Sequence, residues 1–106
     1  MGFSAELHET PGQVVLELTG DLDSGTAAVF REKVTEAAEL APASLVVDLT
    51  HLDYLSSAGL RVLVFARQKM ADGVALVLVG AGERVAETIR LTGFDRSVTL
   101  SDTVPG

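Results

Sequence analysis

The chain alternates before it repeats. Residues 13–19, Gln-Val-Val-Leu-Glu-Leu-Thr, place Val14, Leu16 and Leu18 on one side and Val15, Glu17 and Thr19 on the other, the period-two pattern of a half-buried strand. Residues 3–9 alternate more weakly and end at Pro11-Gly12, a turn signal, so the two segments predict an antiparallel hairpin. Gly20 to Thr26 reads as a loop. It leads into a helix over 25–40, with Asp23 or Ser24 as its N-cap and Ala27, Phe30, Val34, Ala37 and Ala38 at helical spacing. Pro42 stops it.

Leu45-Val46-Val47-Asp48-Leu49 is apolar nearly without alternation, which predicts a central strand covered on both faces. A short turn and two serines follow, then a helix from about Ser57 to Asp72, capped at its C-terminus by Gly73. Val74 to Val79 is a second buried run. Gly80-Ala81-Gly82 turns into a third helix over about 83–92, with Val85, Ala86 and Ile89 inward, closed by Gly93 in a left-handed cap and Phe94 packing back. Val98-Thr99-Leu100 is a short last strand, and Ser101–Gly106 is a polar tail expected to fray. The order β-β-α-β-α-β-α-β predicts a single α/β domain over residues 1–106, with a mixed sheet that is parallel in its middle. Sites in such sheets form beyond the carboxyl ends of the strands. Asp21 and Asp23, Asp53 through Ser57, and Gly80-Ala81-Gly82 are therefore expected to converge on one edge.

Composition narrows the function. The chain has 106 residues and is 47% hydrophobic, enough for one core. Fifteen acidic against eight basic residues give a net charge of −7, with the basic ones scattered, so neither nucleic acid nor an anionic membrane is an expected partner. No apolar run reaches the roughly 20 residues of a membrane span, and Met1 to Glu6 lacks signal-peptide character, which predicts a cytoplasmic protein. Cysteine is absent, and His8 and His51 lie in different segments, so no zinc site and no cofactor are expected.

Enzyme constellations fail in turn. Gly80-Ala81-Gly82-Glu83-Arg84-Val85 opens like a dinucleotide fingerprint but carries Val85 at its sixth position. Ser56-Ser57-Ala58-Gly59 is no nucleophile elbow, and neither histidine is placed to act as a base. Asp21, Asp23, Asp48 and Asp53 offer carboxylates for a cation-holding phosphoacceptor pocket, but Asp48 lies inside a strand run and no lysine follows the later strand end. No enzyme is predicted.

Ser56 and Ser57 remain. Paired hydroxyls at a helix start sit beside backbone N–H groups without intrahelical partners, where they cap the helix and where an anion is also stabilised. A phosphate there leaves the fold intact and adds about −1.5 to −2 charge to an acidic surface, so it acts by repelling a partner. Leu60, Val64 or Phe65, if facing solvent beside Ser57, would give that partner an apolar patch.

The segment from Leu49 to Leu63 resembles the signature of STAS domains, the sulfate transporter and anti-sigma factor antagonist fold. Gly20-Asp21-Leu22-Asp23 resembles the family's acidic loop, Leu45 to Leu49 its central strand, and Arg90-Leu91-Thr92-Gly93-Phe94 the segment ending its third helix. The resemblance covers nearly the whole chain. It implies a bacterial anti-sigma factor antagonist in a partner-switching pathway of transcription regulation. Such a protein binds an anti-sigma factor that is also a serine kinase, releases the sigma factor, is phosphorylated, and is reset by a phosphatase. It also admits a non-phosphorylated STAS subunit of a lipid-transport complex, or a partner-switch component with a non-sigma target. Family members of the best-known type carry the acceptor serine directly before the glycine; that position here is Ala58, which makes Ser57 the expected acceptor and Ser56 the second choice. The expected partner-binding residues are Asp21, Asp23, Ser24, Asp53, Ser56, Ser57, Ala58, Leu60 and Arg61. The family also ends in a further helix after the last strand, whereas this sequence stops at Gly106.

Overall fold

A computed structural model describes residues 2–96 and 98–101. The predicted order holds: β1 (Ser4–Thr10), β2 (Gln13–Leu22), α1 (Ala27–Glu39), β3 (Ser44–Leu55), α2 (Ser57–Lys69), β4 (Ala75–Val79), α3 (Glu83–Leu91), a 3-10 turn (Phe94–Arg96) and β5 (Thr99–Ser101). The strands lie in sequence order in one sheet. β1 and β2 are antiparallel around Pro11-Gly12, and β2 through β5 run parallel. The tail beyond Ser101 lies outside the described residues.

The alternation in β2 does what it predicts. Val14, Leu16 and Leu18 are fully buried and face Phe30, Val34 and Ala37 of α1 and Leu60, Leu63 and Ala66 of α2 within one core, while Val15 and Glu17 stay half-buried on the other side. β3 buries Leu45, Val46 and Val47 consecutively, so both of its faces are covered there. Val46 joins Val77 and Val79 in a small second cluster away from the main core.

Four boundaries depart from expectation. β2 runs on to Leu22 through Gly20, where register shifts break the alternation and φ is +91°. A Cβ at Gly20 would collide with the Gly2 backbone, so only glycine fits the bulge. β3 continues seven residues past Asp48, so the expected turn after Leu49 is strand. The N-cap of α1 is Thr26, not Asp23 or Ser24. α2 ends at Lys69 with Met70 extended and buried; Gly73 (φ +90°) belongs to the turn that follows and does not cap the helix.

Gly93 does close α3 as predicted. It has φ +76°, its N–H donates to the Arg90 carbonyl (3.0 Å), and Phe94 is buried. A Cβ there meets nothing within 4 Å, so the whole penalty of Gly93→Ala is backbone strain. We expect a loss of about 1 kcal/mol. Chemical denaturation checks this, and an unchanged midpoint would show that the left-handed cap carries no stability.

Candidate functional site

β2 and β3 finish together. Leu22 pairs with Leu55, and one residue on, the Ser56 N–H donates to the Leu22 carbonyl (2.9 Å). That bond ties the start of α2 to the end of β2, so the loop after β2 and the first turn of α2 share one surface.

The loop is closed by Asp23. One carboxylate oxygen accepts from the Gly25 N–H (2.9 Å) and the Thr26 N–H (3.1 Å), and the Thr26 hydroxyl donates to the Asp21 carbonyl (2.9 Å). An aspartate bonding backbone two and three residues ahead is a local turn device, which is why it does not act as the helix cap. Asp23→Ala is expected to cost about 1 kcal/mol through those lost bonds, more than a free surface carboxylate would. A melting curve tests this, and wild-type stability would show that the backbone holds the loop unaided.

The two serines divide the work at the start of α2. Ser56 is the N-cap, half-buried, with its Oγ accepting from the Gly59 N–H (3.2 Å). Ser57 is the first helical residue and is exposed. Its hydroxyl makes no hydrogen bond among the described residues, and it sits beside the N–H groups of the first turn, which have no intrahelical acceptor. The turn packs closely underneath. A Cβ on Gly59 would lie 2.6 Å from Leu22 Cγ and 2.9 Å from Leu55 Cδ1, so glycine lets the helix start sit directly on the two strand ends.

Beside the serines, the starts of α1 and α2 frame a groove of about 290 Å³ lined by Ala27, Ala28, Arg31, Ala58, Arg61 and Val62. The Arg31 guanidinium stacks on the Phe65 ring at 4.0 Å from its centroid, which fixes that cation on the groove wall. The surface thus offers a carboxylate at Asp23, a free hydroxyl at Ser57 and guanidinium groups at Arg31 and Arg61. Sequence reading named Ala58 and Arg61 but missed Arg31, Ala27 and Ala28 as site residues, whose place follows only from how the two helices pack.

Most of the expected site residues meet here: Asp23 and Ser24 lie on the loop after β2, and Ser56, Ser57, Ala58 and Arg61 at the cap and first turns of α2, while Asp21 lies inside β2, paired with Tyr54. Three expectations are corrected. Leu60 is 8% exposed and belongs to the core, so it offers a partner nothing; Val64 is the exposed one, and Phe65 is half-buried under Arg31. Gly80-Ala81-Gly82 does not converge on this edge, because Val79 pairs with Asp48 and β3 runs about 23 Å beyond that level. On that side the overhang lies beside α3, and Arg84, Val85 and Thr88 frame a cleft of about 270 Å³ with Asp53, Tyr54 and Leu55. Asp53, exposed on β3, therefore borders α3 rather than the groove.

The four aspartates do not form a cation pocket among the described residues. Asp23 is occupied by its turn, and Asp48 accepts from the Thr50 N–H (3.0 Å) and hydroxyl (2.6 Å). Among the described residues neither histidine stands near the serines. His51 lies on β3 five residues before Ser56, about 16 Å along the strand, and His8 is on β1. The arrangement can bind a partner and accept a group from one.

A family model described as the STAS domain matches residues 4–105. The chain belongs to the STAS domain family. Among curated members, the anti-sigma-F factor antagonist RsfB of Mycobacterium tuberculosis is 32% identical over 93 residues, covering 88% of this chain and 76% of that one. The anti-sigma-B factor antagonist of Bacillus subtilis is 26% identical over 102 residues, covering 95% and 93%. The crystal structure of an anti-sigma factor antagonist from Mycobacterium paratuberculosis matches with a TM-score of 0.91 at 25% identity, over 97% of this chain and 88% of that one. No described helix of this STAS domain is long and apolar enough to cross a membrane.

Proposed function

We propose that this chain is a cytoplasmic anti-sigma factor antagonist. Unphosphorylated, it binds an anti-sigma factor that is also a serine kinase and frees the sigma factor that kinase had held. Phosphorylation at Ser57 ends the binding, and a phosphatase restores it. The observation that carries this reading is the exposed, unbonded Ser57 hydroxyl on the first residue of α2, on the surface where the β2 loop and the helix start meet. The names of RsfB and of the Bacillus relative support the choice of partner.

The physics supports a switch in binding rather than in structure. A phosphate on Ser57 would lie at the positive end of the helix dipole, next to free N–H donors, so the fold tolerates it. The partner would meet about two extra negative charges in the middle of its contact. Ala58 occupies the position where the best-known members carry their acceptor, and it has no hydroxyl. That substitution favours a second reading, a constitutive and unphosphorylated binder, either with a non-sigma target or as a subunit of a lipid-transport complex.

Affinity capture of the tagged protein from its native cells separates these readings. Recovery of an anti-sigma factor with serine kinase activity is the expected result. Recovery of transporter subunits, with no such kinase, would overturn the proposal.

A further inference from the structure

We infer that the outer face of the β1–β2 hairpin is a binding site for a divalent transition-metal cation of the zinc type, held by Glu6, His8 and Glu17. Glu6 and Glu17 are direct cross-strand partners, and His8 follows Glu6 by two residues, so all three project from the same face. Leu7, between the two β1 ligands, and Leu16 and Leu18, flanking Glu17, pack on the core and fix that face outward. One ligand atom from each of the three residues lies within 4.8 Å of the others, and His8 Nε2 is 3.7 Å from a Glu6 carboxylate oxygen.

Charge gives this face an attraction for a cation. Two carboxylates directly opposite on a ladder repel. All eight lysines and arginines lie in the helices or the 3-10 turn, none on a strand, so no ammonium or guanidinium stands within this hairpin to offset them. Asp48 pairs with Glu17 on the next strand and adds a third carboxylate to the row, but one of its oxygens is bonded to Thr50 and it does not join the cluster of three. The three groups left to meet a cation are one imidazole and two carboxylates.

That donor set selects the metal. Magnesium and calcium want all-oxygen shells of six or more, whereas imidazole with carboxylates suits zinc. Tetrahedral zinc with bonds of about 2.0–2.2 Å holds its ligands about 3.4 Å apart. The glutamates are mobile-tipped, with side chains 64% exposed at Glu6, and close the remaining gap by rotation about their χ angles. Water would complete the fourth position.

The test is calorimetric titration of the purified, EDTA-stripped protein with zinc chloride, with magnesium chloride as control and thermal melts in parallel. We expect saturable one-to-one zinc binding, a raised melting temperature that EDTA reverses, and no comparable response to magnesium. His8→Gln should weaken binding by about tenfold or more, since even an outer-shell partner of a metal ligand is worth about 10–100-fold. Glu17→Gln should abolish the zinc response while melting, without zinc, at or above the wild-type temperature, because the cross-strand repulsion is gone. That second variant keeps the test valid if His8→Gln folds poorly. Zinc binding that both variants retain, or that never saturates at one equivalent, would mean an adventitious ion only and would overturn the inference.

Discussion

Ser57→Asp should fold like the wild type and fail to bind the anti-sigma factor. An acidic side chain at the first position of a helix interacts favourably with the dipole, by about 0.3–1 kcal/mol, so the melting temperature should hold or rise slightly. The binding surface responds in the opposite sense. Ser57 stands between the Asp23 loop and the groove at the start of α2, and a contact there would bury the new charge without a partner. An unpaired charge in an interface costs about 2–5 kcal/mol, which lowers affinity about 30-fold or more. Ser57→Ala is the control, keeping the shape and adding no charge, and should bind as the wild type does. Isothermal titration with the captured anti-sigma factor reads both. Equal affinities for the aspartate and alanine variants would remove Ser57 from the interface.

Leu22→Ala should produce the largest loss of stability near the site. Leu22 is fully buried, pairs with Leu55 at the end of β2, and fills the space that Gly59 leaves open. Truncating such a leucine costs about 2–5 kcal/mol, which for a domain of this size lowers the melting temperature by about 10 °C or more. Gly59→Ala alone should also destabilise, by about 1–3 kcal/mol, because its methyl group would press on Leu22 and Leu55. Together the two changes should cost less than their sum, since the new methyl enters the vacated volume. Denaturation of the four proteins completes the cycle. Strict additivity would show that the helix start does not rest on Leu22.

That contact explains part of what the sequence concealed. Gly59 reads as a weak helix residue, and only the approach of α2 to the strand ends gives it a reason. The element order was legible because Val14, Leu16 and Leu18 alternate cleanly and because residues 45–49 and 74–79 are apolar runs bounded by turn residues. The extension of β3 was hidden by Thr50, His51 and Asp53, polar residues that are tolerated because this part of the strand is exposed between its buried leucines. Gly20 reads as a turn signal, yet it sits in a bulge inside β2.

The candidate site was legible in its chemistry but less so in its geometry. Paired serines before an apolar helix announce the α2 cap, and the division into a bonded Ser56 and a free Ser57 follows only from where the helix begins. Leu60 stands close to the serines in sequence, but helical periodicity turns it inward with Leu63. The Glu6–His8–Glu17 group is not legible as a cluster in the sequence, because only the cross-strand register brings Glu17 opposite Glu6, eleven residues away.

The most direct test of the switch is the intact mass of the protein taken from its native cells with phosphatases inhibited, followed by mapping of the modified residue. The account predicts a fraction carrying one phosphate, on Ser57, that does not co-purify with the anti-sigma factor. A protein that stays unmodified through growth and stress, or that carries its phosphate elsewhere while Ser57 is free, would contradict it.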